Sequence, residues 1–283
     1  MSGRLIVVAT PIGNLDDLSP RAVSALRSAR RIACEDTRVT RKLLTRAPTD
    51  AKLVAYHAHS PRSVTERLLK AIEAGETVVL VTDAGMPGVS DPGQGLIDQA
   101  RSHDLRVEVI PGPSAALTAL VSSGLPTARF CVEGFLPQTG KARRRRLAKL
   151  ADEDRTMVFF EAPHRVRSML EDARDAFGED RRVALCRELT KVHEEVVRST
   201  IAGLLELLSE PPKGECTLVI EGRGDAVIAE PDDEQIKNAV LERIGEGAST
   251  RDAVAGVVAA TGVAKRRVYD LARDLKGQGP GSR

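Results

Sequence analysis

Short β-branched runs in the first 115 residues repeatedly break into loops rich in Gly and Pro, and this punctuation constrains the fold more than any other feature. Leu5–Ala9 runs into Thr10-Pro11-Ile12-Gly13-Asn14-Leu15, TVVLVT (Thr77–Thr82) into Asp83–Gly93, and Arg106–Ile110 into Pro111-Gly112-Pro113-Ser114. Glycine lets backbone approach a ligand and proline stiffens the approach. TVVLVT has no polar face, the mark of a central parallel strand covered on both sides. Helical stretches separate the strands: Ser19–Ala29 with Ser19 as cap and Pro20 in its first position, Thr37–Thr45, Ser60–Glu73, Pro92–Ser102 and Ser114–Ser122 ended by Gly124. This alternation predicts an α/β fold, with Ile32–Cys34 and Leu53–His57 as further strands. In such sheets ligands sit beyond the carboxyl ends of the strands, where these loops lie.

The second half repeats the alternation. Phe130–Phe135, Thr156–Glu161, Arg182–Arg187 and Glu215–Glu221 read as strands, and Ala142–Leu150, His164–Phe177 and Ile201–Leu208 as helices. The Ser122–Thr127 turn divides an N-terminal α/β domain (1–124) from a second one (125–223). The linker GRGDAVIAEPDDE then leads to a helical module (233–277) built from Glu234–Ile244, Thr250–Ala260 and Ala264–Lys276. There Ala253, Val257 and Val258, a turn at Gly262, and Val263, Val268, Tyr269 and Leu271 have helix-turn-helix grammar. The tail GQGPGSR reads as disordered.

Several classes are disfavoured. No G-x-G-x-x-G follows a strand, GFLPQTGK fails the Walker A spacing, and neither G-x-S-x-G nor H-E-x-x-H occurs. Cys34, Cys131, Cys186 and Cys216 lie far apart, so no metal site is expected and reduced thiols in the cytoplasm are the plain reading. The start lacks a signal-peptide core, and the uncharged stretch 109–128 is broken by prolines and glycines, so no membrane association is expected.

The loops, taken in order, carry a likeness: ATPIGNL (Ala9–Leu15), ACEDTR (Ala33–Arg38), VTDAGMPGVSDPG (Val81–Gly93), VIPGPSA (Val109–Ala115), SGLP and GFLP (Ser123–Pro126, Gly134–Pro137), and FFEAPHR (Phe159–Arg165). Over about residues 4–222 the chain resembles the tetrapyrrole-methylase-like superfamily of S-adenosylmethionine-dependent methyltransferases. It is most similar to the branch that methylates the ribose 2'-oxygen of a cytidine in the 16S rRNA of the small ribosomal subunit, in the decoding region. The resemblance implies two α/β domains with S-adenosylmethionine in the cleft between them, in a homodimer. It places the donor near Pro11, Ile12, Gly13, Asp83, Met86, Pro87, Ser114, Ala115, Leu136, Ala162 and the stretch Gly214–Thr217. Cys216 departs from the larger apolar residue the family pattern has there.

A ribose hydroxyl is a weak nucleophile, so a base or cation must stand beside it. Glu35, Asp36, His57, His59, Asp91, Glu161, His164 and Arg165 are the candidates, and Arg38 or Arg165 could hold a phosphate. The favoured expectation puts Asp36 and Arg38 on the acceptor with Glu161 and Arg165 opposite, although Glu35 and Asp36 fit a helix-capping role equally well.

Charge is nearly balanced, with 42 Lys+Arg against 40 Asp+Glu, so binding through a general positive field is excluded. With two Tyr, five Phe and no Trp, an aromatic platform for single strands is excluded too. The basic residues are local. KARRRRLAKL (141–150) offers Lys141, Arg143, Arg144, Arg145 and Arg146 for phosphate contact, and the last helix offers Lys265, Arg266 and Arg267. That module equally fits a small bundle packed on the body or on a second subunit. Two alternatives stay open: a small-molecule, tetrapyrrole-type methyltransferase of the same superfamily, and a non-enzymatic helix-turn-helix DNA-binding regulator.

Overall fold

The computed structural model describes residues 3–223, 233–261 and 263–277; most of the linker, Gly262 and the last six residues of the tail lie outside them. The chain divides into two compact units at Gly222/Arg223.

In the first unit β1 (Arg4–Val8), β2 (Arg31–Cys34), β3 (Lys52–Ala55), β4 (Thr77–Leu80) and β5 (Arg106–Ile110) form a parallel sheet in the order β3-β2-β4-β1-β5. Helices α1 (Pro20–Ser28), α2 (Thr37–Leu43), α3 (Arg62–Glu73) and α4 (Gln94–Ser102) cover it. Alternate residues of β1 serve opposite faces: Ile6 and Val8 pack with Leu26 of α1, and Leu5 and Val7 with Leu68 of α3 and Leu96 of α4. The two-sided apolar strand thus follows from cover on both faces. The Ser19 hydroxyl accepts from Ala22 N and starts α1, as expected.

Helix α5 (Ala115–Ser123) is capped by the Ser114 hydroxyl and ended by Gly124 at φ +68°. Its Ala116, Ala119 and Leu120 pack on Val158, Ala184 and Val219 of a second sheet, tying the two sheets together. That sheet has the order β6-β7-β10-β8-β9, from β6 (Phe130–Phe135), β7 (Thr156–Glu161), β8 (Arg182–Arg187), β9 (Glu195–Thr200) and β10 (Cys216–Ile220). Helices α6 (Gly140–Lys149), α7 (Val166–Phe177) and α8 (Ile201–Leu207) complete it. Only β6 and β7 run parallel; β7-β10, β10-β8 and β8-β9 are antiparallel. The second half therefore does not simply repeat the first. Strand β9 is absent from the sequence reading because this edge strand is only half-buried, carries Arg198 at its centre and passes straight into α8.

The second unit is a three-helix module of α9 (Asp233–Gly245), α10 (Thr250–Thr261) and α11 (Lys265–Gly277). Ile236, Val240, Ala253, Val257, Val263, Val268 and Ala272 form its core. Tyr269, read from sequence as part of the apolar face, is 57% exposed; Val268 and Ala272, one helical turn apart, fill the seam instead.

Candidate active site

The Gly/Pro loops leave the carboxyl edge of the parallel sheet and meet the second sheet around a cavity of about 480 Å³. The first two loops are joined as a short antiparallel bridge: Thr10 N donates to Gly85 O (2.9 Å) and Gly85 N to Thr10 O (3.1 Å). The Thr10 hydroxyl also donates to Thr82 O at 3.1 Å, so the cavity wall is rigid at its base.

Gly13 sits against the β8–β9 loop. A Cβ there would lie 2.5 Å from Lys191 Cγ, 2.7 Å from Thr190 Oγ1 and 2.9 Å from the Leu189 carbonyl oxygen. Asn14 N donates to Thr190 Oγ1 at 3.1 Å, and Lys191 Nζ bonds Glu188 Oε1 and Glu215 Oε2, both at 2.9 Å. Glu188 and Leu189 line the cavity, so Gly13→Ala must push that wall aside. Donor affinity, measured by calorimetry, is expected to fall about tenfold or more with little change in the melting temperature, since a displacement of this size at a binding wall is costly.

From the second sheet, Cys216 on β10 pairs with Glu161 on β7, and Cys186 lies on neighbouring β8. Burial pushes the thiols of Cys186 and Cys216 up to about 11, so both are neutral, small apolar surfaces at neutral pH. Phe135 and Phe160, with centroids 5.6 Å apart, finish this wall. The Glu161 side chain is 1% exposed in this largely apolar setting. Its Oε1 accepts from Ala162 N at 2.9 Å, and Arg165 Nε stands 3.3 Å from Oε1 without hydrogen-bond alignment. Oε2 has no hydrogen-bond partner among the described residues. A buried carboxylate oxygen without a partner is costly, and its residue lines the cavity, where a ligand's cation would offset that cost. Arg165 itself is held by the carbonyls of Leu136 (3.2 Å) and Pro137 (3.1 Å).

On the opposite wall stands Asp91, in a loop whose Gly88 and Ser90 both have positive φ. Burial first, then the nearby Glu35 and Asp83 carboxylates, push the Asp91 carboxyl up to about 6. Glu35 is raised as well, by burial and by Asp83. Asp36 is different. Its carboxylate caps α2 through Arg38 N (2.7 Å) and grips the Arg38 guanidinium at 2.6 Å, which hold it down at about 2. It is therefore a weak base, occupied with a neighbour.

Of the sequence-derived donor residues, Ile12, Met86, Ser114, Ala115, Ala162 and all of Gly214–Thr217 line the cavity. The others stand behind it. Pro11 is buried, Asp83 accepts from Asp36 N at 3.0 Å, Pro87 packs near Gly93, and Leu136 belongs to the core of the second sheet. Asp36 and Arg38 are not among the lining residues, and neither is Arg165. The sequence reading missed Phe160, Glu188 and Leu189; the approach of Glu188 to Gly214, where a Cβ would lie 2.4 Å from it, leaves no local sequence signal.

The basic run is corrected at one position. Arg143 is 7% exposed and bonds Asp172 Oδ2 at 2.7 Å and Ser168 O at 3.2 Å, because it shares the inward stripe of α6 with Leu147. Lys141, Arg144, Arg145 and Arg146 remain outward; Arg144 also reaches Asp172, and Arg146 pairs with Glu133. In the separate helical module Lys265 and Arg266 are exposed, while Arg267 is drawn to Asp233 at 2.8 Å.

Comparison with known proteins matches the profile of the Tetrapyrrole (Corrin/Porphyrin) Methylases to residues 4–205. Among curated proteins, Ribosomal RNA small subunit methyltransferase I of Halalkalibacterium halodurans is 42% identical over 275 residues, covering 95% of this chain and 94% of that protein. The protein of the same name from Mycobacterium tuberculosis is 43% identical over 277 residues, covering 95% and 94%. Among solved structures, uroporphyrin-III-C-methyltransferase of Thermus thermophilus superposes with a TM-score of 0.58 at 22% identity over 81% of this chain and 98% of that one. Diphthine synthase does so with 0.59 at 16% identity, over 77% and 90%. At these identities the structures share the fold alone.

Proposed function

This chain belongs to the tetrapyrrole methylase family, in the group of the ribosomal RNA small subunit methyltransferase I proteins, and from that premise we propose that it transfers a methyl group from S-adenosylmethionine to a ribose 2'-oxygen of 16S rRNA. The acceptor in this reading is a cytidine of the decoding region in the small ribosomal subunit, and the protein acts in the cytoplasm as a homodimer.

The observation that carries the reading is the buried Glu161 carboxylate, one oxygen short of a hydrogen-bond partner among the described residues, on the wall of a largely apolar cavity at the carboxyl edge of the parallel sheet. A donor that carries positive charge on an apolar frame fits that carboxylate and the backbone-rich rim of Ile12, Met86, Ala115 and Ala162. When bound, S-adenosylmethionine supplies an electrophilic methyl group on a sulfonium. Glu161 supplies the counter-charge from the second sheet. Asp91, on the facing wall, takes the proton of the acceptor hydroxyl onto its carboxylate, a task suited to a group that titrates near 6. This assigns to Asp91 the role that the sequence reading gave to Asp36. Arg38 and Asp36 shape the rim by capping α2.

The exposed face of α6, with Lys141, Arg144 and Arg145, meets RNA phosphates, and the three-helix module with Lys265 and Arg266 adds a second RNA contact. Removing Arg145, an exposed cation, as Arg145→Gln should lower the salt slope of RNA binding by about 0.7–0.9. The test of the function is transfer of tritiated methyl to small subunits from cells lacking this protein, followed by nucleoside mapping. Label on a cytidine ribose is the expected result. Label on a base, or on a tetrapyrrole instead of RNA, overturns the reading.

A further inference from the structure

Strand β3 forms one edge of the parallel sheet, with no strand beyond it among the described residues. A groove of about 440 Å³ runs along that edge, walled on its other side by the first turns of α3. Val54 of β3 and Val64 of α3, packed on the same side of the sheet, give it a half-buried apolar floor, while Lys52 and Arg67 stand exposed at its sides. Neither cation has an ion pair among the described residues, and no carboxylate lines the groove. Arg31 adds a third positive charge there, although Glu76 holds it at 2.6 Å. Helix α3 opens on the groove at Pro61 without a side-chain cap or an acidic residue in its first turn. The charged side chains that line the groove are cations, which favours an anion, and its length along the strand suits a chain of anions.

Its position supplies the identity of that chain. From Lys52 to His57 the edge extends about 17 Å at 3.3 Å per residue. His57, at the far end of the groove, lies past the carboxyl end of β3, on the side of the sheet where the Asp83–Gly93 loop emerges. Ala55, at the end of β3, pairs with Cys34, just before Glu35, and Asp36 N reaches Asp83 at 3.0 Å, at the start of the loop that carries Asp91 to the cavity wall. The groove therefore leads toward the group assigned to the acceptor hydroxyl. A second copy of this chain is a poor occupant, since a two-fold contact here would bring together two surfaces whose charged lining is cationic on both sides.

We propose that the groove between β3 and α3 seats the sugar-phosphate backbone flanking the methylated nucleotide, with Lys52 and Arg67 on its phosphates. This inference rests on the RNA methyltransferase reading above and adds a track that neither α6 nor the C-terminal module provides. It assigns the groove a positioning role, not a chemical one.

The test compares the wild-type full chain with the Lys52→Gln/Arg67→Gln double variant on small-subunit rRNA across a series of salt concentrations. Both residues are exposed, so folding should be unaffected, as thermal melting will register. Losing two phosphate contacts should lower the slope of log K against log salt by about 1.4–1.8. The KM for the RNA substrate should rise about tenfold, with kcat and donor affinity unchanged. Arg27→Gln/Arg101→Gln, which removes the same charge from exposed positions on α1 and α4, should leave the slope as it was. An unchanged slope in the groove variant, or an equal drop in the control, overturns the proposal. So does a change of molecular mass in solution confined to the groove variant, which would make the edge a contact between copies. A wild type that transfers no methyl to RNA removes the function reading itself, whereas a fully active wild type with a slope-neutral groove variant removes only this inference.

Discussion

Asp91→Asn should lower the methyl-transfer rate at saturating donor and RNA by about 10²–10⁴-fold, the range general-base removal commonly costs. Donor affinity should change little, because the carboxylate is assigned to the acceptor. The wild-type rate should climb with pH through about 6, where the Asp91 carboxyl titrates, and level off above it. The variant should lose that limb. The sign for stability is opposite. Burial, Glu35 and Asp83 raise this carboxyl above its ordinary value of 3.8, so folding favours the protonated form. The favourable contribution is present below the unfolded value and lost as pH rises toward 6, leaving a charged, repelled Asp91 at neutral pH. Asn at this position carries no charge, so the variant should melt at or above the wild-type temperature at pH 7.5. A variant that keeps its turnover removes Asp91 from the chemistry. One that loses turnover together with melting temperature shows that Asp91 holds the loop rather than the proton.

Neither Asp91 nor Asp36 reveals its state in its own neighbourhood of sequence. Both follow strands and both sit in motif-like loops, yet Asp36 is held near 2 and Asp91 near 6. The residue two places on decides the first, since Arg38 folds back onto Asp36 through the first turn of α2. The second is decided first by burial in the cavity wall and then by Glu35, brought across from another strand end by sheet order β3-β2-β4. Sequence reading could propose the local pair but could not weigh it against a distant one. The same division runs through the fold. Parallel strands such as β4 are covered on both sides and read as unbroken apolar runs, and α5 displays both of its caps in Ser114 and Gly124. Strand β9 earns its place through pairing with β8 and not through its own hydrophobicity, so its residues read as loop. In α6, four successive arginines cover every face of a helix, and only Asp172, on α7, determines that Arg143 turns inward.

Glu161→Gln should weaken binding of S-adenosylmethionine by about 10–100-fold, the equivalent of one buried charge-assisted hydrogen bond of about 1.5–3 kcal/mol. The fold should survive. Arg165 keeps its two carbonyl partners on Leu136 and Pro137, and an amide in place of Glu161 still offers an oxygen to Ala162 N. What the amide lacks is the negative charge. The donor has two cationic groups, an ammonium and a sulfonium, and S-adenosylhomocysteine retains only the first. Calorimetry with both ligands therefore identifies which cation the carboxylate serves. Equal weakening of the two places Glu161 on the ammonium, and weakening confined to S-adenosylmethionine places it on the sulfonium. In the second case the charge also acts on the reacting centre. Transfer neutralises the sulfonium, so a carboxylate close to it stabilises the bound donor more than the transition state. The variant would then bind the donor poorly, with kcat/KM lowered and kcat held or raised, whereas loss of a carboxylate from the ammonium, which keeps its charge throughout, would lower kcat/KM at subsaturating donor with kcat unchanged. Unaltered affinity for both ligands would show that the Glu161 carboxylate serves no donor charge, and the observation that carries the functional reading would fall with it.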